Sequence, residues 1–480
     1  MKLSVATNWD IRLLDNLEEF SRVHSVYGKM ERDLLGGGRP SYLLPEVDEQ
    51  QVEDYVRQSQ QRGIRFIYLL NSQCLDNLEY TAEFQRQMIA QIGWLDDIGV
   101  DYVTVSIPFL LQMIKRQFPR LKVYVSVFAN INSVQRARFF EGLGADVLSL
   151  PEYVNRDFTL LRQIKQAVQC EVQLIANMTC LYGCPFQLYH ANLVSHASQA
   201  DHASRGFCPD YCILNCTRRK IAHPQELIKS RWIRPEDTHH YEEIGIDSFK
   251  IIERFDTTEV LTHTVRAYHE EKYDGNLADI LNIKTRPQRQ LPPRVHYFLQ
   301  PDFADVSRLQ DMEETLYLAD QYIDNRGLDG FTDFFRSKDC YRASCEACGY
   351  CKKIADRVVR IDPQQAALVL ARIDQKIDDL VSGDFFRAVQ PKPAPGNIGW
   401  DPAVEQTFRQ MIQAVPPAFQ QVSEKAVSLK AESLARQRDS RLVEAQDMVQ
   451  AFLTETPQAF QPQMRQDLQR LVTNVEKYLD

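Results

Sequence analysis

Eight of the eleven cysteines in this 480-residue chain fall into two groups of four, and thiols grouped in this way are suited to binding metal. A thiolate is a soft, strongly donating ligand, so four at close spacing fit an iron–sulfur cluster or a zinc ion. The first group is Cys180-x3-Cys184 with Cys212-x3-Cys216, and Cys208 stands nearby as a fifth thiol. It lacks the C-x2-C knuckle that zinc ribbons favour. The spacing therefore predicts an iron–sulfur centre, with a zinc ion bracing a long loop as the alternative. The second group, Cys340-x4-Cys345-x2-Cys348-x2-Cys351, packs four thiols into twelve residues. Dense C-x2-C-x2-C runs wrap iron–sulfur clusters, and the nearby fourth cysteine favours a 4Fe–4S type, again with zinc as the alternative. Arg342, Lys352 and Lys353 would partly offset its negative charge.

Other residues near these thiols have usable chemistry. His190, Asn192, His196 and His202 lie between the two cysteine pairs of the first group. Imidazole titrates near neutrality, so His190 and His196 are candidates for proton transfer, against a role in shaping the loop through hydrogen bonds. Arg231 and Arg234 are placed to hold a carboxylate bidentately, or else to form salt bridges around a rim, and Glu253-Arg254 occupies a comparable position. Cys74 would face the same region as a substrate-lining or redox thiol, although a buried, inert cysteine is the commoner outcome; Cys170 reads as core. The run Leu35-Gly36-Gly37-Gly38-Arg39-Pro40-Ser41 is a turn whose backbone can approach a ligand closely, or a plain connecting loop. It lacks the Gly-Lys-Ser/Thr ending of a phosphate loop. No G-x-S-x-G or H-E-x-x-H motif is present to support serine or zinc hydrolysis.

The elements that must position these residues read as repeated βα units. Eight β-branched runs alternate with helical periodicity: Leu3–Thr7, Arg65–Leu70, Tyr102–Ser106, Lys122–Phe128, Asp146–Leu150, Val172–Asn177, Leu227–Ser230 and Ser248–Ile252. Eight strands in about 275 residues predict a (β/α)8 TIM-like barrel, with a doubly wound sheet as the alternative. Residues 9–64 and 178–226 are too long for simple connections and are read as insertions. The first cysteine group then falls after the sixth predicted strand, at the C-terminal mouth where barrels place their chemistry. The expected organisation is a barrel over 1–275, an extension with the second cysteine group over 276–389 and a strand at Val295–Leu299, a Pro-rich linker over 390–399, and a small all-α domain over 400–480.

Composition narrows the range of function. With 56 basic against 65 acidic residues the net charge is −9, which disfavours a mainly electrostatic grip on nucleic acid. The start at Met1-Lys2-Leu3-Ser4 has no secretory leader, and Val103–Ile114 is too short and interrupted to span a bilayer. The chain is expected to be cytosolic, with reduced, ligating cysteines.

On Asn177–Ser198, Cys212–Cys216, Lys229–Asp237 and Gly245–Arg254 the barrel resembles the U32 "peptidase" family. That resemblance implies a barrel holding a four-cysteine 4Fe–4S cluster and oxygen-independent hydroxylation, with prephenate linked to the oxygen supply. The family's ubiquinone-hydroxylation members differ from this chain in ligand spacing. Asn397-Ile398-Gly399-Trp400-Asp401-Pro402-Ala403, with Val415-Pro416, Glu424, Glu432 and Ala435-Arg436, looks like the helical domain that ends a light-independent protochlorophyllide reductase subunit. The alternative is a generic helical module for docking a protein partner. The expected activity is oxygen-independent hydroxylation, or a related redox modification, of a hydrophobic ring compound such as a quinone or tetrapyrrole precursor, with a small hydrophobic or anionic substrate as the partner. RNA hydroxylation, a non-catalytic iron–sulfur scaffold and a U32-type peptidase are the alternatives.

Overall fold

The computed structural model describes residues 1–41, 44–200, 202, 208, 211–254, 256–283, 315, 320–340, 343–387, 398–416, 420–438, 440–456, 460–472 and 475–478. Eight parallel strands close into a barrel in chain order: β1 (Lys2–Ala6), β2 (Val23–Gly28), β3 (Arg65–Leu70), β4 (Tyr102–Val105), β5 (Lys122–Val125), β6 (Val147–Ser149), β7 (Glu171–Ile175) and β8 (Ser248–Ile251). β8 returns to β1 with Ser4 opposite Lys250. The helices α1 (Ile11–Glu18), α2 (Glu49–Gln61), α3 (Ala82–Asp97), α4 (Pro108–Gln117), α5 (Val134–Gly142) and α6 (Phe158–Ala167) follow β1 to β6 one by one. Among the described residues, four α-helices separate β7 from β8: α7 (Gln187–His196), α8 (Tyr211–Ala222), α9 (Gln225–Lys229) and α10 (His239–Glu242). α11 (Thr258–Glu270) completes the ring. The expected (β/α)8 architecture is therefore present.

Local chemistry explains the element ends. Side chains of Asp10, Asp48, Thr81, Ser133, Asp157 and Thr257 accept backbone N–H groups at the starts of their helices, satisfying donors that have no partner inside the helix. The barrel interior includes a polar layer: Ser4 and Ser25 hydroxyls lie 2.9 Å apart, the Gln173 amide donates to Ser4 and Ser248, and Ser149 donates to Gln173. These buried polar groups satisfy one another, which is the condition for keeping them in a core.

Two strand assignments need correction. Leu227–Ser230 is not a strand; Leu227 to Lys229 belong to α9, which Pro224 precedes and which packs on the helix Tyr350–Val358. Two adjacent apolar residues are too few for periodicity to separate helix from strand. The missing strand is β2, inside the stretch read as an insertion. Its Ser25 faces the polar interior layer, so the strand lacks a continuous apolar run. Consequently the first cysteine group follows β7, the seventh strand, rather than the sixth. The segment Val295–Leu299 lies outside the described residues.

The chain forms two compact units, Met1–Val389 and Gln390–Asp480. In the first, the region after the barrel shares the barrel's core through Ile323, Leu328, Phe331, Phe335 and Val358. The second unit has its own core, built by Phe408, Met411, Val449, Phe452 and Leu468 on the helices Pro402–Ala414, Gln420–Gln437, Ala445–Glu455 and Gln461–Leu471. No described helix is long and apolar enough to cross a membrane.

Candidate metal centre

The approach to Cys180 is fixed by hydrogen bonds from the end of β7. Asn177 accepts the Ile252 N–H through its side chain and donates to the carbonyls of Ile252 and Ile280, while its own carbonyl accepts the Asn282 N–H. Thr179 donates to the Asn282 carbonyl and accepts from Lys220, and its carbonyl accepts the Ser230 hydroxyl. Within Cys180-x3-Cys184 the chain turns at Gly183, whose φ of 69° lies in the left-handed region that side chains other than glycine resist. Cys212 and Cys216 stand one turn apart on α8 and so share a face. The helix Pro363–Ser382 packs along α8, with an Arg218–Asp374 ion pair between them.

These four thiols line one cavity of about 110 Å3 at the C-terminal mouth, together with Lys220 and His190. Its remaining wall is largely apolar, including Met178, Leu181, Phe186 and Ile213. A second cavity of about 100 Å3 is lined by Cys180, Cys184 and His190 as well, and adds Phe128 and Glu152. Among the described residues, no three of these sulfurs lie within 4.8 Å of one another. Four sulfurs about 2.3 Å from one zinc ion would stand roughly 3.8 Å apart, so this set is more open than a mononuclear site.

The electrostatics pull in two directions. Burial, followed by the Glu152 carboxylate, pushes the Cys180 thiol well up, and burial raises Cys184; Lys220 pulls both down. Glu152 is itself pushed up by burial, which favours its protonated form. The glycine run supplies another cation. Gly37 donates to the Ser198 hydroxyl, and the Gly36 N–H donates to Asp33. A Cβ on Gly36 would stand 2.7 Å from Ser72, Ser198 and Gln199 atoms, so only glycine passes between these neighbours. The run delivers Arg39 to both cavities, where it pairs with Glu253 at 3.0 Å.

The second set lines a separate cavity of about 150 Å3 through Cys340, Cys345, Cys348 and Cys351. Ser344 caps the short helix Cys345–Cys348, and Gly349 ends it in the left-handed region. Tyr182, which sits between Cys180 and Cys184 in sequence, lines this second cavity, and the Arg231 guanidinium covers its ring at 3.9 Å. Burial raises Cys345 and Cys351, opposed by Lys229 and Arg231 at the first and by Arg156 and Arg231 at the second. Arg156 is 2% exposed, stacks against Trp232, Phe331 and Phe335, and donates to the Ile228 and Trp232 carbonyls. Lys352 lines the cavity but pairs with Asp356, Lys353 is exposed, and Arg342 lies outside the described residues.

The structure thus gathers Cys180, Cys184, Cys212, Cys216 and His190 at one place and Cys340, Cys345, Cys348, Cys351 and Arg231 at another. Arg234 is buried among Asp329, Glu236 and Asp237. His196 ends α7 beside Asp76 and Cys74, where burial and then His202 lower its pKa. Cys208 is buried, and Cys170 is half-buried, pushed up to about 12 by burial and Glu141. Spacing alone did not single out Arg39, Lys220 and Glu152. Lys220 had a usable signal, four residues beyond Cys216 on the same helix face.

Comparison with known proteins places the chain in a family. The profile described as Peptidase family U32 matches residues 43–287, about half of the chain. The uncharacterized protease MJ1657 of Methanocaldococcus jannaschii is 27% identical over 333 residues, covering 68% of this chain and 87% of that protein. The solved structure of the U32 peptidase Mk0906 covers 53% of this chain and 93% of its own, at 20% identity and a TM-score of 0.41. A glycerol uptake operon antiterminator-related protein from Thermotoga maritima covers 41% of this chain and 92% of its own, at 16% identity and a TM-score of 0.24. By the extent of the profile match, which takes in β3 to β8 of the barrel, the chain belongs to peptidase family U32.

Proposed function

We propose that this chain is an iron–sulfur protein that carries out oxygen-independent hydroxylation, or a related redox modification, of a small ring compound bearing an anionic group, such as a quinone or tetrapyrrole precursor. The observation that carries this reading is the convergence of Cys180, Cys184, Cys212 and Cys216 on one mostly apolar cavity at the barrel mouth. An all-thiolate donor set without the C-x2-C knuckle that zinc ribbons favour suits iron–sulfur. When bound there, a cluster supplies one-electron chemistry. The chain's own groups do the rest. Arg39 and Lys220 hold the anionic part of the substrate, and Met178, Leu181 and Phe186 cover its ring and exclude water. His190 holds or passes a proton at the cavity wall. The second set serves as electron relay or brace, with Tyr182 adjoining both regions. The oxygen comes from a second organic substrate, as the family resemblance implies.

The test is anaerobic purification with iron, sulfide and zinc analysis and EPR, on the natural protein and on Cys180→Ala and Cys348→Ala. About eight irons, falling to about four in each variant, is the expected result. Zinc without sulfide overturns the redox reading.

A further inference from the structure

We propose that Cys74, Asp76 and His196 form a binding site for a borderline divalent cation, zinc being the best match, at the rim of the barrel mouth. Cys74 and Asp76 lie on the loop after β3, and His196 is the last residue of α7. One donor atom from each lies within 4.8 Å of the other two. His196 Nε2 is 3.3 Å and Cys74 Sγ 3.8 Å from the same oxygen, Asp76 Oδ1. In a hydrolytic thiol–imidazole–carboxylate relay, the imidazole stands between thiol and carboxylate and uses both its nitrogens. Here the thiol and the imidazole instead both approach one carboxylate oxygen, which leaves the three donor atoms close enough to share one ion.

The donor types select the ion. One sulfur, one nitrogen and one oxygen suit zinc and neighbouring transition metals, whereas magnesium and calcium take oxygen alone and iron–sulfur clusters take mainly thiolates. Three protein ligands leave a fourth position open, as zinc sites that bind water or substrate do. The other oxygen of Asp76 faces His202 Nε2 at 3.1 Å, and the rings of His196 and His202 stack at 4.3 Å and 8°. An outer histidine of this kind orients a ligating carboxylate.

The frame is built without the ion. The Asp76 N–H donates to Cys74 Sγ, the Gln73 N–H donates to Ser195, and the Gln199 amide donates to the Cys74 carbonyl, so the loop and the end of α7 are held in register. Asp76 and Asn77 both have φ in the left-handed region, at 54° and 62°. Gln73, the residue before Cys74, lines the cavity that Cys180, Cys184 and His190 share. The site is thus next to the proposed redox centre, but its existence does not depend on that reading.

The test reads Cys74 alone, so metal bound at the other cysteines does not confuse it. The full-length protein, as purified anaerobically, is alkylated with iodoacetamide, and the Cys74 peptide is followed by mass spectrometry with and without zinc. Zinc at about ten times its dissociation constant is expected to slow Cys74 alkylation about tenfold, and magnesium to have no effect. Asp76→Asn and His196→Gln, each checked for unchanged iron content and a cooperative melt, should lose that protection. Equal rates with and without zinc in the natural protein overturn the proposal, as does protection that survives in both variants. Cys74 that alkylates faster than a free thiol whether or not zinc is present would instead support a hydrolytic pair and sink the metal site.

Discussion

In the first cysteine set the sulfurs come from two segments separated by α7, and they meet at the end of the barrel strands. In the second set they come from one run of twelve residues beside α9. The first shares its cavity with apolar side chains and two cations: among the described residues, Arg39 pairs with Glu253 and donates to the Gly38 carbonyl, and Lys220 donates to the Thr179 hydroxyl. The second is bordered by cations already committed to aromatic rings and carbonyls: Arg231 on Tyr182, Arg156 within Trp232, Phe331 and Phe335. A thiol set that needs a folded barrel to assemble, and that leaves room for a ligand beside it, fits the chemistry proposed above. A set assembled locally, beside cations that stack on aromatic rings, would instead be placed to be held still.

The largest effect that would sharpen this contrast is expected at Arg156. Arg156→Met removes two charge-assisted hydrogen bonds and leaves two buried carbonyls without a donor, at a cost of about 3 kcal/mol. Urea unfolding should show a lower midpoint, with the signal of the second set lost before that of the first. If both sets lose iron together, they are not independent structures. Next comes Arg39→Met, expected to raise KM for an anionic substrate about tenfold with iron content unchanged, a change worth about 1.4 kcal/mol. Arg231→Met should leave that KM alone and alter the EPR signal of the second set. The reverse pattern would exchange the two roles.

A further effect is a pH dependence of stability from a lysine of β8. Burial, with Arg254 and Arg39 nearby, pushes Lys250 down to about 7 from its ordinary 10.5. Between those values the unfolded chain binds a proton that the folded chain does not, so stability rises with pH across that window and the contribution is lost as pH falls to about 7. Lys250→Met should flatten that rise, as read from unfolding midpoints at pH 7 and pH 9. An unchanged slope would show that Lys250 is not the group responsible.

Much of this architecture was legible in the residues. Seven of the eight barrel strands announce themselves as β-branched runs, and the cysteine spacings mark both sets before any fold is known. β2 was hidden because Ser25 turns inward to a polar layer, where a pattern of buried apolar residues is the usual guide. Arg231 and Arg234 fall close to the thiols in sequence, yet the chain turns through α9 and takes them to Tyr182 and Asp329. Arg39 could not be found from spacing, because the contact is made across the barrel mouth from a loop after β2. The joining of Cys74, Asp76 and His196 has the same cause, two elements far apart in sequence meeting at one rim.

The three glycines before Arg39 act as a ruler. Gly36 has no room for a side chain, a Cβ on Gly37 would crowd Lys29, and one on Gly38 would crowd Phe128. These contacts seat the loop between Lys29, Ser198 and Phe128. In the reading proposed above, the Arg39 guanidinium then meets a ligand at one reach from the thiols, and the mouth would select by length as well as by charge.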